Sequence, residues 1–197
     1  MSSYLNSTLK RALDILFSIA VLPIALPCMV MASILVYLSD RGSLFFVQER
    51  VGKNSYPFKM VKIRTLKKGF SSENGKQHNA EDILIIGRWL RKLRIDELPQ
   101  IWNILKGEMS WVGPRPEIEY YFTHFKGIDP SFEKRQVCKP GITGLAQLDN
   151  PDATPSHSLE KLPHDLHYIQ HASFGMDVRI LLQSFFSVWK WAADHIT

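Results

Sequence analysis

The sequence predicts an α+β protein, mainly helical, in which an N-terminal re-entrant membrane segment joins a small cytosolic domain holding a few short strands. Three observations lead there. An uncharged apolar run is interrupted by two prolines and flanked by basic residues on both sides; one later stretch alternates apolar and polar residues; most of the remainder carries apolar residues at helical spacing. At 197 residues the chain suffices for one ordinary domain with an appended segment. We divide it into residues 1–40, a re-entrant membrane helix with an amphipathic start, and residues 41–197, the cytosolic domain.

The membrane segment rests on "ILFSIAVLPIALPCMVMASILVYL", residues 15–38, which contains no charged residue. As a helix it would reach roughly 36 Å, longer than the roughly 30 Å hydrocarbon layer of a bilayer. Pro23 and Pro27 each remove an amide donor near its middle, so a kink or break is expected there. Lys10 and Arg11 precede the run, and Arg41, Arg50 and Lys53 follow it. Cationic flanks prefer the cytoplasmic side, and both satisfy that preference if the segment turns at the prolines and leaves by the face it entered. A kinked span is the alternative. A cleaved signal peptide fits poorly, because the run is long and no small-residue cleavage site closes it.

Downstream, "SLFFVQERVGKNSYPFKMVKIRTL" reads as two strands around a turn, and "KKGFSSENGKQHN" as a mobile surface loop. A helix is predicted from about Glu81 to Leu93. A second runs from about Asp96 to Lys106, with Asp96 as N-cap, Glu97 and Pro99 in the first turn, Leu98, Ile101, Trp102 and Leu105 on one apolar face, and Gly107 ending it. "GEMSWVGPRPE" is a turn, "EIEYYFTHFK" a helix, and "KPGITGLAQL" a turn-rich connection. Residues 162–196 read as helical to the end. There Ile180, Leu181, Phe185, Val188 and Trp189 either pack on the core or, beside Lys190 and Trp191, lie at a membrane surface.

The formal charge of +5 is unevenly placed, since residues 59–94 alone hold +7. Such a concentration suits phosphates of nucleotides, lipid or nucleic acid, and a solvated charged face is the plainer explanation. The basic stretch lacks interleaved aromatics and any recognised reading motif, so nucleic acid is not expected as a partner. Cys28 and Cys138 give neither a disulfide framework nor metal-ligand spacing.

The order of motifs closely resembles the bacterial sugar transferase family, specifically the small monotopic polyprenol-phosphate phosphoglycosyl transferases. The resemblance runs from "KRALD" through "FFVQERVG", "KIRT", "LRKLRIDELPQIWNILKGEMSWVGPRPE" and "KPGITGLAQL" to "DLHYI" and "MDVRIL", nearly the whole chain. It implies transfer of a phosphosugar from a UDP-sugar to polyprenol (undecaprenyl) phosphate with release of UMP, the first membrane step of surface glycan assembly. It also implies a re-entrant anchor in the bacterial inner membrane, with membrane lipid as a partner and the catalytic domain on the cytoplasmic face. A homodimer is left open.

By the same resemblance, Asp96 and Glu97 form a catalytic dyad served by Mg2+. Asp96 is the nucleophile on the sugar-bearing phosphorus, giving an aspartyl phosphosugar, and it holds the metal. The role of Glu97 stays open among metal ligand, tuner of Asp96 and proton carrier. Two anions must meet twice in this chemistry, which requires local positive charge. Arg91 and Arg115, the latter between Pro114 and Pro116, are the expected phosphate ligands. Lys62 and Arg64, two apart on a strand, are expected to share a face and point at the same anion or at lipid headgroups.

Two departures from the family pattern stand out. Leu26-Pro27 replaces the usual Ser-Pro at the membrane break, and "DNPD", residues 149–152, replaces an Asn-Gly-Arg-Asn stretch near the nucleotide-sugar. The second puts donor identity in doubt and keeps a catalytically inactive membrane adaptor on the same scaffold as the alternative. His164, His167 and His171 share a helical stripe that would suit zinc only with a fourth ligand, and none is identifiable.

Overall fold

The computed structural model describes residues 1–69, 79–149 and 157–196. Most of the loop expected at residues 67–79 and the departure at 150–152 lie outside them. The chain opens with a short 3-10 turn, Ser3–Asn6, and then helix α1, Thr8–Ser39. Ser7 caps α1, its hydroxyl accepting from the amide of Lys10 at 3.1 Å. α1 stays helical through Pro23 and Pro27, so the expected break into two separate helices does not appear. By length and composition α1 is the one helix among the described residues suited to cross a membrane. Leu16, Ile19, Ile24, Leu26, Val30, Met31, Ile34 and Leu38 all lie exposed on it.

Both ends of α1 nevertheless dock on the same globular body. Near its start, the Arg11 guanidinium donates to the carbonyls of Ile104 and Leu105 at 2.5 and 2.7 Å, while Trp111 Nε1 donates to Ser18 Oγ at 2.9 Å. Near its end, Ala32 and Val36 pack with Ile63, Leu84 and Leu90. Arg64 holds the last turn through Asp40.

The expected hairpin forms from β1, Phe45–Val51, and β2, Pro57–Ile63, antiparallel with Phe45 opposite Ile63 and Val51 opposite Pro57. Asn54 and Ser55 turn it at positive φ. Helix α2 occupies Ile85–Lys92, α3 Gln100–Lys106 and α4 Glu119–Ile128. A 3-10 run, Pro130–Val137, follows. Two segments read as turns pair instead as a parallel ladder, β3, Ser110–Val112, with β4, Gly141–Thr143. Three-residue strands of this kind carry too little alternation to be seen in a sequence. After α5, Leu145–Asp149, come α6, Ser158–His171, and α7, Phe174–Ile196.

The apolar face expected of α3 is corrected in one respect. Ile101 and Ile104 are buried, but Trp102 is 59% exposed, and the fully buried Asn103 takes the inward place. Its amide donates to the Lys59 carbonyl at 2.8 Å and its oxygen accepts from the Val61 amide, splicing α3 to β2. On α7 both readings find residues: Ile180 is buried with Val112 and Tyr168, whereas Phe185 and Trp189 are exposed.

A buried polar knot joins the first helix to the last. Lys10 Nζ donates to Asp177 Oδ2 at 2.6 Å, and the Tyr4 and Tyr168 hydroxyls donate to the same carboxylate at 2.9 and 2.7 Å. Asp14, one turn on, accepts from Ser110 Oγ and the Trp111 amide. Buried charges are tolerable only when paired and hydrogen-bonded in this way.

Candidate active site

The acid pair sits on a tight corner between α2 and α3. Arg94 adopts a left-handed conformation, φ 54° and ψ 20°, which reverses the chain after α2. Residues Ile95–Glu97 then form one 3-10 turn, closed by the Leu98 amide donating to the Ile95 carbonyl at 3.2 Å. Asp96 is therefore not the N-cap of α3, which begins only at Gln100, after Pro99, with no side-chain cap. Packing of Ile95 against the α1–α2 core fixes the turn and carries both acids inward. They are 6% and 5% exposed.

Glu97 is gripped by cations. Its Oε1 accepts from Lys62 Nζ and from Arg115 Nη2, each at 2.7 Å, and Arg94 Nη1 stands 3.9 Å from Oε2. Burial alone would raise the Glu97 pKa, but Arg115, Lys62 and Arg94 more than offset it and hold the carboxyl well below the usual range. Asp96 lies the other way. Its carboxylate accepts no hydrogen bond from any described residue, and burial, helped by the charge of Glu97 and opposed by Lys62, Arg91 and Arg115, pushes its pKa up to about 6.

The cations are placed by close backbone approaches. A Cβ on Gly113 would lie 2.6 Å from the Lys139 carbonyl oxygen, so only glycine lets the β3 and β4 chains meet where the strand launches Pro114 and Arg115. The buried Pro114 carbonyl accepts from the Gly141 amide at 2.9 Å. A Cβ on Gly87 would lie 2.5 Å from the Thr65 carbonyl oxygen, which brings α2 against the end of β2. Arg91 Nε then donates to Thr65 Oγ1 at 2.8 Å, leaving the rest of its guanidinium toward the acids. The field of Asp96 and Glu97 partly offsets the lowering that burial imposes on Arg91.

Arg64 does not join this group. The strand ends at Ile63, so the alternation that would align Arg64 with Lys62 does not continue. Its guanidinium instead donates to Asp40 Oδ2 at 2.6 Å, the Ser43 carbonyl at 2.7 Å and the Asp40 carbonyl, anchoring the end of α1. The histidine stripe also separates: His164 Nδ1 lies 3.0 Å from Asp149 Oδ2, while His167 and His171 stack on each other. Among the described residues no three His, Cys, Asp or Glu side chains converge to hold a metal.

One supporting group escaped the sequence reading. Arg135 is buried, donates from Nε to Asp165 Oδ2 at 2.7 Å and from Nη2 to the Arg115 carbonyl at 2.9 Å, and lies 3.6 Å from Glu117. It thus fixes the backbone that aims Arg115. No local pattern flags it, because its partners lie 20 and 30 residues away.

The two carboxylates suit a divalent cation of the magnesium type. Asp96 has free lone pairs, and Glu97 Oε2 is buried without a hydrogen-bond partner. Magnesium is commonly held by one or two carboxylates together with substrate phosphates, a donor set this corner matches.

An acid pair on a buried corner, ringed by guanidinium and ammonium groups beside a long apolar helix, is an arrangement suited to anionic groups such as phosphate. The chain belongs to the bacterial sugar transferase family, which matches it over residues 5–191. Among similar proteins is the UDP-N-acetylgalactosamine-undecaprenyl-phosphate N-acetylgalactosaminephosphotransferase of Aeromonas hydrophila. It is 35% identical over 93% of this chain and 44% of its own length. The exopolysaccharide production protein PSS of Rhizobium leguminosarum bv. phaseoli is 33% identical over 90% of this chain and 93% of its own. The UDP-glucose:undecaprenyl-phosphate glucose-1-phosphate transferase of Caulobacter vibrioides is 32% identical over 89% and 67%. The chain thus spans less than half the length of the Aeromonas relative.

Proposed function

We propose that this protein transfers a sugar 1-phosphate from a UDP-sugar to undecaprenyl phosphate, through a covalent intermediate on Asp96. The observation that carries the reading is the contrast within the dyad. Glu97 is held through Oε1 by Lys62 and Arg115, whereas Asp96 is buried, accepts no hydrogen bond from the described residues and lies in the field of Arg91. A desolvated carboxylate without donors is a stronger nucleophile than a solvated one.

An Asp96 oxygen bonds to the sugar-bearing phosphorus as the bond from that phosphorus to the UMP oxygen breaks, and UMP leaves with the electron pair. In the second half-reaction a phosphate oxygen of the polyprenol phosphate attacks the same phosphorus and the Asp96–phosphorus bond breaks. Arg91 and Arg115 supply the positive charge that lets the anions approach. Lys62 keeps Glu97 ionised and fixed. Bound Mg2+, held by Asp96 with Glu97 Oε2 as the available second donor, would neutralise charge on the diphosphate and the departing UMP.

The reading places α1 in the inner membrane as a re-entrant segment, with the domain on the cytoplasmic face. Support comes from the docking of both its ends on one body. Arg11, near its start, donates to the carbonyls of Ile104 and Leu105, and Ala32 and Val36, near its end, pack with Ile63, Leu84 and Leu90. Single cysteines at Ser3 and Gly42 should be labelled from the same side of the membrane; opposite sides would reject this topology.

The decisive test of the reaction is UMP release from a panel of UDP-sugars with undecaprenyl phosphate. Ping-pong kinetics and a phosphosugar adduct trapped on Asp96 are expected. Sequential kinetics without an adduct would favour direct attack by the lipid phosphate.

A further inference from the structure

At the far end of α3 from Asp96 lies a cavity of about 190 Å3, unconnected with the chemistry above. Residues from the start of α1, the β1–β2 turn and the approach to β4 line it, among them Ser7, Arg11, Lys53, Ser110 and Lys139. Its charge is unbalanced. Asp14 also lines the cavity, but it is already bonded to Lys10, Ser110 and the Trp111 amide and only partly offsets the four cations there; Arg11, Lys53 and Lys139 make no ion pair among the described residues. Arg11 donates only to the neutral carbonyls of Ile104 and Leu105, and Lys53 only to the amide oxygen of Asn6 at 2.5 Å. The Lys139 ammonium has no hydrogen bond or ion pair among the described residues.

Three cations facing one half-enclosed space repel one another. Burial first, and then Arg11, Lys53 and Lys10, lower the Lys139 pKa, against a partial offset from Asp14. The positive end of the α1 dipole, at Ser7, adds to the same field. An anion bound in that space would relieve the repulsion. The volume decides its size: a whole nucleotide-sugar needs a pocket of several hundred Å3, while a phosphate group with a small substituent fits. From this uncompensated charge, the volume and the position at the foot of the apolar helix, we infer that the cavity is a second, non-catalytic phosphate-binding site, built from Arg11, Lys53 and Lys139. Its phosphate comes from an anionic lipid headgroup or from free phosphate in solution.

The test uses the full chain in nanodiscs of phosphatidylcholine. In one arm inorganic phosphate is titrated against sodium chloride at matched ionic strength. In the other, phosphatidylglycerol replaces part of the phosphatidylcholine. Thermal midpoint is the readout, and each arm is repeated with the Lys53→Gln/Lys139→Gln pair and with Lys134→Gln, an exposed lysine outside the cavity. The proposal expects saturable stabilisation in at least one arm, weakened about ten-fold or more in the double variant and unchanged in Lys134→Gln. Response only to phosphatidylglycerol assigns the headgroup; response to inorganic phosphate assigns the free anion. Stabilisation that survives the double variant, or none beyond the chloride control in either arm, overturns it. Since phosphate could also bind beside Asp96, only the component lost with Lys53 and Lys139 counts. Lys53→Arg/Lys139→Arg, which keeps the charge, should retain it and guards against misfolding of the glutamine pair. UMP release is read by neither arm, so failure here leaves the catalytic proposal standing, and the reverse.

Discussion

Replacing Asp96 by asparagine should make the metal-free protein more stable while abolishing its adduct. Asp96 is raised from 3.8 to about 6 because burial removes water from the carboxylate and no described residue donates to it. The folded state therefore holds a proton more tightly than the unfolded chain. Below the unfolded value both states are protonated and there is no penalty. As pH rises through the folded value the native carboxyl must ionise in a dry place, and stability is lost. A gap of about two units corresponds to about 3 kcal/mol, fully in force near pH 8 and below about 1 kcal/mol near pH 4. Asparagine keeps the shape and cannot ionise, so with chelator present its midpoint near pH 8 should lie about 5–10 °C above wild type. The two midpoints should converge near pH 4. Melting curves in detergent with EDTA, run beside an assay for the phosphosugar adduct, measure both effects. An asparagine variant no more stable than wild type near pH 8 would refute the account of a desolvated Asp96; one that still forms the adduct would remove it from the reaction.

Glu97→Gln should act in the opposite sense, destabilising by about 2 kcal/mol near neutral pH because the buried Lys62 and the partly exposed Arg115 lose the carboxylate they share. The folded Glu97 pKa is depressed, so its contribution is present above the unfolded value and lost as pH falls through the folded one; the variant should close the gap in acid, and an equal stability at neutral pH contradicts the pairing. Arg115→Ala should slow adduct formation about 100-fold or more, whereas Arg64→Gln, bonded to Asp40 at the end of α1, should lower the melting temperature and spare turnover per folded molecule. Gly113→Ala would bring a methyl to 2.6 Å from the Lys139 carbonyl oxygen, so stability should drop by about 2 kcal/mol and UMP release should fall as Arg115 shifts. EDTA should abolish UMP release and Mg2+ restore it; undiminished release in chelator would separate the dyad from any metal.

Much of the fold was legible wherever a pattern repeats over many residues. The apolar run of α1, the β1–β2 alternation and the existence of α2, α3 and α4 follow from periodicity, while the start of α3 falls at Gln100 and not at Asp96. The β3–β4 ladder did not, because its pairing is set by the close approach of Gly113 and Gly141 rather than by side-chain pattern. The grouping of Asp96, Glu97, Arg91 and Arg115 was readable through the long block around residues 90–117, and Lys62 through its place on the strand before it. Arg64 was misplaced because strand alternation was carried one residue past Ile63. Asn103 and Arg135 went unnoticed for a shared reason: a buried polar residue is recognised by its distant partners, and local sequence does not name them.

The junction between Lys10 and Asp177 also says something about synthesis. The two residues are 167 positions apart. At roughly 5–20 residues per second the ribosome takes on the order of ten to thirty seconds to deliver the acid after the lysine has emerged. Throughout that interval the amine has Asp14, at 3.4 Å, but not Asp177, and the first helix waits with its socket half built. Completion of the last helix is then the event that ties the first helix to the body through Asp177, and chains cut short before it should be cleared by proteolysis even though the acid pair and its cations have already been made.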